Sequence, residues 1–206
     1  MGAVTAAPTG TAANPEAKVG PNAVTQVAAA LRALGGDPLA ARVFGAADLD
    51  RVLDTPPQRM VDQTIAARLH DSLRVTLAPD DATRIAADAG RRTADYLLAN
   101  RIPRPAQWVM QCLPPRLSAP ILLRAMASNA WTYAGTGRVR TFSGHPAVLE
   151  IIDNPLAQPH CPWHVAVFER LFRALVTKHA HVSHPTCCAH GATACRFEIT
   201  LSRKPV

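Results

Sequence analysis

Between His160 and Cys195 the chain concentrates four of its five cysteines and six of its eight histidines. The densest run reads His184-Pro185-Thr186-Cys187-Cys188-Ala189-His190-Gly191-Ala192-Thr193-Ala194-Cys195, and Cys161 lies upstream of it. Thiolate together with imidazole is the donor set that zinc takes in closed tetrahedral sites. His184 and Cys187 are three apart, a spacing that lets two ligands reach one ion from a single turn. Gly191 lets the loop between Cys187 and Cys195 fold back. Cys161, His184, Cys187 and Cys195 are therefore the candidate ligands, and a four-ligand site of this kind is a structural staple. Cys188 is read as a bystander, because neighbouring residues of a strand point to opposite faces. Two duller readings stand beside this one: buried free thiols, which pack as small hydrophobes, and a disulfide such as Cys187–Cys195. The N-terminus shows no basic stretch followed by an apolar core, so no signal peptide is read. A cytoplasmic chain favours metal or free thiols over disulfides.

With 206 residues, 48% of them hydrophobic, the chain can bury a sizeable core. No apolar run reaches the length of a membrane-spanning helix. The formal charge is +7. Arginines are spread singly along the expected helices, often near Asp, with no polybasic run and no nucleic-acid motif. We read them as a solvated surface with no nucleic-acid partner, which leaves an acidic small ligand or a protein partner open.

Residues 1–19 are rich in Ala, Thr, Pro and Gly and read as a disordered tail. Residues 20–134 read as a helical region. Asn22 is expected to cap a first helix ending at Gly35-Gly36, and a short helix follows Asp37-Pro38. Another short piece spans Ala46 to Leu53. A longer helix is expected from Gln58 to Leu77, with Val61, Ile65, Leu69 and Leu73 as its buried stripe. The next runs from Pro79 to about Asn100. A short helical piece carries Trp108 and Met110, and a further helix covers Ser118 to Tyr133 with Ile121, Leu122, Ala125 and Met126 inward. Residues 135–206 change character. Gly137–Gly144 and Ala147–Asp153 alternate like a hairpin, Cys161 opens a helix, and His179–Ser183 and Cys195–Leu201 read as two more strands. The expected fold class is α+β: a helical region, then a β-β-α-β-β antiparallel sheet with a metal-binding hairpin, packed as one unit. The start of the helix at Cys161 should favour its thiolate.

The pattern Pro159-His160-Cys161-Pro162-Trp163, followed by Cys187, Gly191 and Cys195-Arg196-Phe197, resembles the 4-vinyl reductase (V4R) domain. In that family three cysteines and a glutamate hold zinc. This chain has His184 at the glutamate position, so the resemblance implies a structural zinc on three cysteines and a histidine. Over residues 20–202 the chain is similar to the J family of bacteriochlorophyll biosynthesis, the 4-vinyl (8-vinyl) reductases.

That resemblance implies a protein of photosynthesis that binds a magnesium tetrapyrrole of the protochlorophyllide type as carrier or accessory factor. The alternatives are an 8-vinyl reductase of divinyl (proto)chlorophyllide and a small-molecule sensor module. No Gly-rich turn between strand and helix supports a nicotinamide site: Gly35-Gly36 follows a helix, and Gly135-Thr136-Gly137 has no third glycine. By analogy with related sensor domains, a pigment cavity would be lined by Trp108, Met110, Trp131, Tyr133, Phe142 and Trp163. Arg138 or Arg140 would meet a propionate, and His145 or His164 would ligate the magnesium. Other enzymes of the pathway are implied as partners, a homodimer through the N-terminal helices is compatible, and the location implied is cytoplasmic or peripheral to the photosynthetic membrane.

Overall fold

The computed structural model describes residues 17–201. Most of the expected tail, residues 1–16, lies outside them. Order begins before Gly20, however. Strand β1 (Lys18–Val19) pairs antiparallel with β2 (Val61–Asp62), and the Gln63 N–H donates to the Ala17 carbonyl at 2.8 Å. Val19 is fully buried, which is why so short a strand is held.

Helix α1 (Asn22–Ala46) is two helical pieces joined at Gly35 and Gly36, whose φ angles are −143° and 70°. Only Gly36 needs the left-handed freedom of glycine. Asn22 does not cap it: Pro21 occupies that position, and the Asn22 side chain accepts from Gln26 Nε2 at 3.4 Å. Helix α2 (Asp50–Asp54) is short. Helix α3 (Gln63–Thr76) starts five residues later than Gln58, because the preceding residues are spent on the β1–β2 pair. Asp62 caps it by accepting the Thr64 N–H at 2.8 Å. Its buried face is Ala66, Leu69, His70 and Leu73. Helix α4 (Pro79–Asn100) follows as expected.

Helices α5 (Arg104–Cys112) and α6 (Pro115–Ser128) are joined by Leu113-Pro114, and a 3-10 turn covers Ala130–Thr132. The inward stripe of α6 is Ala119, Leu122, Leu123, Met126 and Ala127. Ile121 and Ala125 face outward instead, because packing against the sheet and the helix after Cys161 selects the other side.

Strands β3 (Arg138–Phe142), β4 (Ala147–Ile152), β5 (His181–Thr186) and β6 (Ala194–Thr200) form one antiparallel sheet in the order β3-β4-β6-β5. Helix α7 (Pro162–Leu175) lies between the hairpins in sequence and covers one face. On β6 the residues Cys195, Phe197 and Ile199 are buried and alternate with half-buried neighbours. Phe197 meets Phe168 of α7 edge to face, ring centres 5.0 Å apart. On the opposite face Arg196 bonds Glu150 at 2.7 Å and Glu198 at 2.9 Å.

The fold is thus α+β, with one hydrophobic core running from Val19 to Ile199. Helix α4 crosses α7 closely at Gly90. A Cβ there would collide with the Trp163 carbonyl and crowd Ala166. This crossing fixes the first turn of α7, and with it Cys161.

Candidate metal centre

Three separate pieces of chain deliver the cluster. Cys161 is the residue before α7, in left-handed backbone (φ 42°) after a second such residue, His160 (φ 63°). Such conformations in non-glycine residues are costly and concentrate at functional sites. The turn is held by the Cys161 N–H, which donates to the Gln158 carbonyl at 2.7 Å.

His184 lies in β5 and Cys187 directly follows it in extended backbone, so the pair comes from a strand rather than a helical turn. Residues three apart on a regular strand face opposite sides. The β5–β6 register shifts between Ser183 and Thr186, with Ser183 opposite Glu198 but Thr186 opposite Arg196. The extra residue is a bulge that resets the alternation. Pro185, with no N–H to pair, suits it. His184 and Cys187 therefore face the same side. Beyond Cys187 a 3-10 turn, Cys188–His190, ends at Gly191 (φ 84°) and returns the chain to β6 and Cys195.

The four ligand atoms lie within 4.8 Å of one another. The Sγ separations are 3.8 Å for Cys161–Cys187, 3.7 Å for Cys161–Cys195 and 4.0 Å for Cys187–Cys195. A disulfide needs about 2.05 Å, and all five cysteines are free. Three sulfurs each about 2.3 Å from a tetrahedral zinc would sit roughly 3.8 Å apart. His184 stacks on Phe197, ring centres 4.5 Å apart and planes 19° from parallel, and both of its buried ring nitrogens lack a hydrogen-bond partner. A buried imidazole with two orphaned nitrogens is unusual, and a metal ion would take one of them. The donor set fits zinc.

The electrostatics differ from the sequence expectation at Cys161. Its thiol is pushed up, by its contact with Cys195 and then by burial. Cys195 moves the other way. Its thiol is drawn down to about 3, first by the Cys161 thiol and further by the nearby His184 ring, the Cys188 N–H and the Asn154 amide. The last two donate to Cys195 Sγ at 3.3 Å and 3.4 Å. Burial pushes Cys187 up, and its thiol donates to the Gln158 carbonyl at 3.2 Å. Cys188 stands outside the cluster with its side chain and contributes its backbone. Asn154 and Gln158 were not singled out from the sequence, and Phe197 entered only as part of the Cys195-Arg196-Phe197 motif. Their only signal is proximity to the cysteines in chain and in strand register.

The ten residues named as pigment contacts do not line one cavity. Tyr133, Trp163 and His164 come together in the core. His164 Nε2 bonds the Tyr133 carbonyl at 3.1 Å, and its ring meets Trp163 at 4.9 Å. Met110 is buried on the inner side of α5, while Trp108 is 68% exposed on its outer side. Trp131 is 44% exposed. Arg138 and Arg140 take the outward positions of β3, alternating with buried Val139, and Arg138 pairs with Asp153 at 3.4 Å. Phe142 is half-buried at the strand end, and His145 is exposed in the hairpin turn before cis-Pro146.

A residue missed from the sequence is His70 of α3. It is 3% exposed and meets Trp163 edge to face at 6.0 Å. Its Nε2 has no partner, as is true of Gln158 Oε1 and Trp163 Nε1. All three residues line one pocket of about 10 Å³, room for a single water. Burial, then the charge of His164, pulls the His70 pKa down to about 4, against a bond to the Ala23 backbone.

A helical layer packed on an antiparallel sheet, with a Cys3His cluster that could hold a metal ion between them, defines the class as α+β. The V4R domain model matches residues 154–201, which contain all four ligands. The chain is 44% identical to the bacteriochlorophyll synthase 23 kDa chain of Cereibacter sphaeroides, covering 88% of this chain and 90% of that one. It is 35% identical to the chain of the same name from Rhodobacter capsulatus, covering 88% and 86%. The protein belongs to this bacteriochlorophyll-synthesis family. An H-NOX protein from S. oneidensis, solved in its Fe(II)NO ligation state, shares the fold alone: TM-score 0.52, 11% identity, 90% of this chain and 100% of that one.

Proposed function

We propose that this protein serves bacteriochlorophyll synthesis as a zinc-stapled accessory factor that binds a magnesium tetrapyrrole of the protochlorophyllide type and hands it between enzymes. The observation that carries the reading is the 44% identity, over nearly the whole chain, to the bacteriochlorophyll synthase 23 kDa chain. Cys161, His184, Cys187 and Cys195 hold the zinc. A four-ligand shell with no open position gives the ion a structural task and no catalytic one.

Within this reading His70 is the axial ligand of the pigment's magnesium. It is buried and neutral, and one ring nitrogen is engaged on the Ala23 backbone while the other is bare. A second hydrogen bond of that kind orients metal-binding imidazoles generally. His164 is less suited because its Nε2 is engaged by Tyr133, and His145 is exposed. The pocket beside His70 is far smaller than a macrocycle, so binding requires α3 to part from the segment before α7. The Gln158–Asp71 hydrogen bond at 2.7 Å closes that seam.

The test is a titration of metal-replete protein with divinyl protochlorophyllide, followed by absorbance with and without NADPH or reduced ferredoxin. Saturable binding without conversion supports the carrier, and H70A should weaken it and shift the bound spectrum. Conversion to the monovinyl pigment would replace it by the vinyl-reductase reading. An absence of binding would overturn the pigment assignment.

A further inference from the structure

We propose that the outward faces of α5 and α6 form a docking surface for an anionic lipid bilayer. The proposal stands independently of pigment and zinc. It begins with apolar residues on the wrong side of two helices. On α5 the exposed positions Pro105, Trp108, Val109 and Cys112 follow the three–four spacing of a single helix face. Trp108 is 68% and Val109 48% exposed. On α6 Leu117, Ile121 and Ala125 repeat every four residues on the solvent side, with Leu117 56% and Ile121 49% exposed. The two helices are consecutive, joined by two residues. Their inner faces are already used. Met110 is buried and Gln111 bonds the Ala174 carbonyl of α7, while Leu122, Leu123 and Met126 of α6 are in the core.

Charge identifies the occupant. From Arg101 to Leu149 the chain has six arginines and no Asp, Glu or Lys, so this segment carries +6 of the formal net charge of +7. Arg101, Arg104, Arg116 and Arg124 are exposed and make no ion pair among the described residues. Elsewhere most arginines of the helices pair, as Arg32 with Asp37, Arg92 with Asp88 and Arg170 with Asp95, Arg42, Arg51 and Arg74 being exceptions. Unpaired guanidinium groups beside exposed Trp, Leu and Ile are the composition of a helix lying in a lipid interface. Cations meet the headgroup phosphates and apolar side chains enter the acyl boundary. Tryptophan favours that depth. No helix among the described residues is long and apolar enough to cross a bilayer, so the surface rests on the membrane and does not span it.

The experiment uses the full chain with vesicles of phosphatidylcholine alone or mixed with phosphatidylglycerol, read by co-sedimentation at low and high salt, with light scattering for oligomeric state. Binding is expected to the anionic vesicles, weakened by salt. It should fall about ten-fold or more in W108A/I121S and again in R116E/R124E, while both variants keep the wild-type melting temperature and metal content. Failure to bind anionic vesicles overturns the proposal, as does binding indifferent to these substitutions. A dimer that W108A/I121S dissociates would also overturn it, showing that the face meets a second copy of the chain.

Discussion

At Cys195 one sulfur gathers two hydrogen-bond donors. The Cys188 N–H and the Asn154 amide already point at it, so the ligand shell is largely arranged before any ion arrives. Removing a ligand should therefore cost the metal and the fold together. C187S is expected to lose stoichiometric zinc and to lower the melting temperature by about 10 °C or more, on a scale of roughly 2–4 °C per kcal/mol for a chain of this size. Metal analysis and thermal denaturation check both. An unchanged melting temperature would count against a structural ion.

His70 supplies a second prediction at this scale. Burial draws its pKa down to about 4, from the ordinary 6.5 of a solvated imidazole. The unfolded imidazole takes up a proton that the folded one refuses. Its contribution is full above pH 6.5 and is lost as the pH falls towards about 4, at a cost on the order of 3 kcal/mol. The difference in unfolding free energy between wild type and H70Q should therefore shrink across that window. A constant difference would show that His70 is not buried as a neutral group. The ligand residues themselves were legible, since donor type and spacing are written in the chain. The donors that converge on Cys195 were not, because the fold brings them from residues 154 and 188.

Among the elements, the bulge in β5 explains why an i, i+3 pair can serve one site from a strand. Deleting Pro185 takes out the extra residue and leaves His184 and Cys187 two apart in regular pairing, where they still share one face, so zinc binding should survive together with the hairpin. Metal content and backbone chemical shifts of β5 and β6 would show this. Loss of zinc with the hairpin intact would mean that a shared strand face is not enough to align the ligands. The sequence reading had the spacing right and its cause wrong, because a helical turn and a bulged strand give the same separation along the chain.

The crossing at Gly90 belongs to the same scale. Glycine inside a helix costs up to about 1 kcal/mol against alanine, yet G90A is expected to destabilise, by roughly 1–3 kcal/mol, because the added methyl meets the Trp163 carbonyl. Denaturant unfolding measures it, and a stabilised variant would show that α4 and α7 can separate freely. Nothing in the local pattern of α4 reveals this, since the neighbour is more than seventy residues away in sequence.

For the whole molecule, the order of helices, then hairpin, helix and hairpin followed from hydrophobic periodicity and turn residues. The β1–β2 pair did not, each strand being two residues long and the two separated by forty-one intervening positions. The charge was counted correctly but read as dispersed. Its concentration between Arg101 and Leu149 is visible only when missing carboxylates are weighed with the arginines. The outer face of α6 was likewise misassigned at Ile121, which packing elsewhere leaves exposed. The residues expected to line one pigment cavity are divided between core and surface, because an aromatic residue in sequence carries no mark of which cavity, if any, it faces.

The central claim is that one ion on Cys161, His184, Cys187 and Cys195 ties the helical layer to the sheet. Zinc-edge X-ray absorption on stoichiometrically loaded protein tests it most directly. The account predicts three sulfurs at about 2.3 Å and one nitrogen at about 2.0–2.1 Å, with chelation melting the protein cooperatively. A shell of nitrogen and oxygen donors, or a chain whose stability ignores removal of the ion, would contradict it.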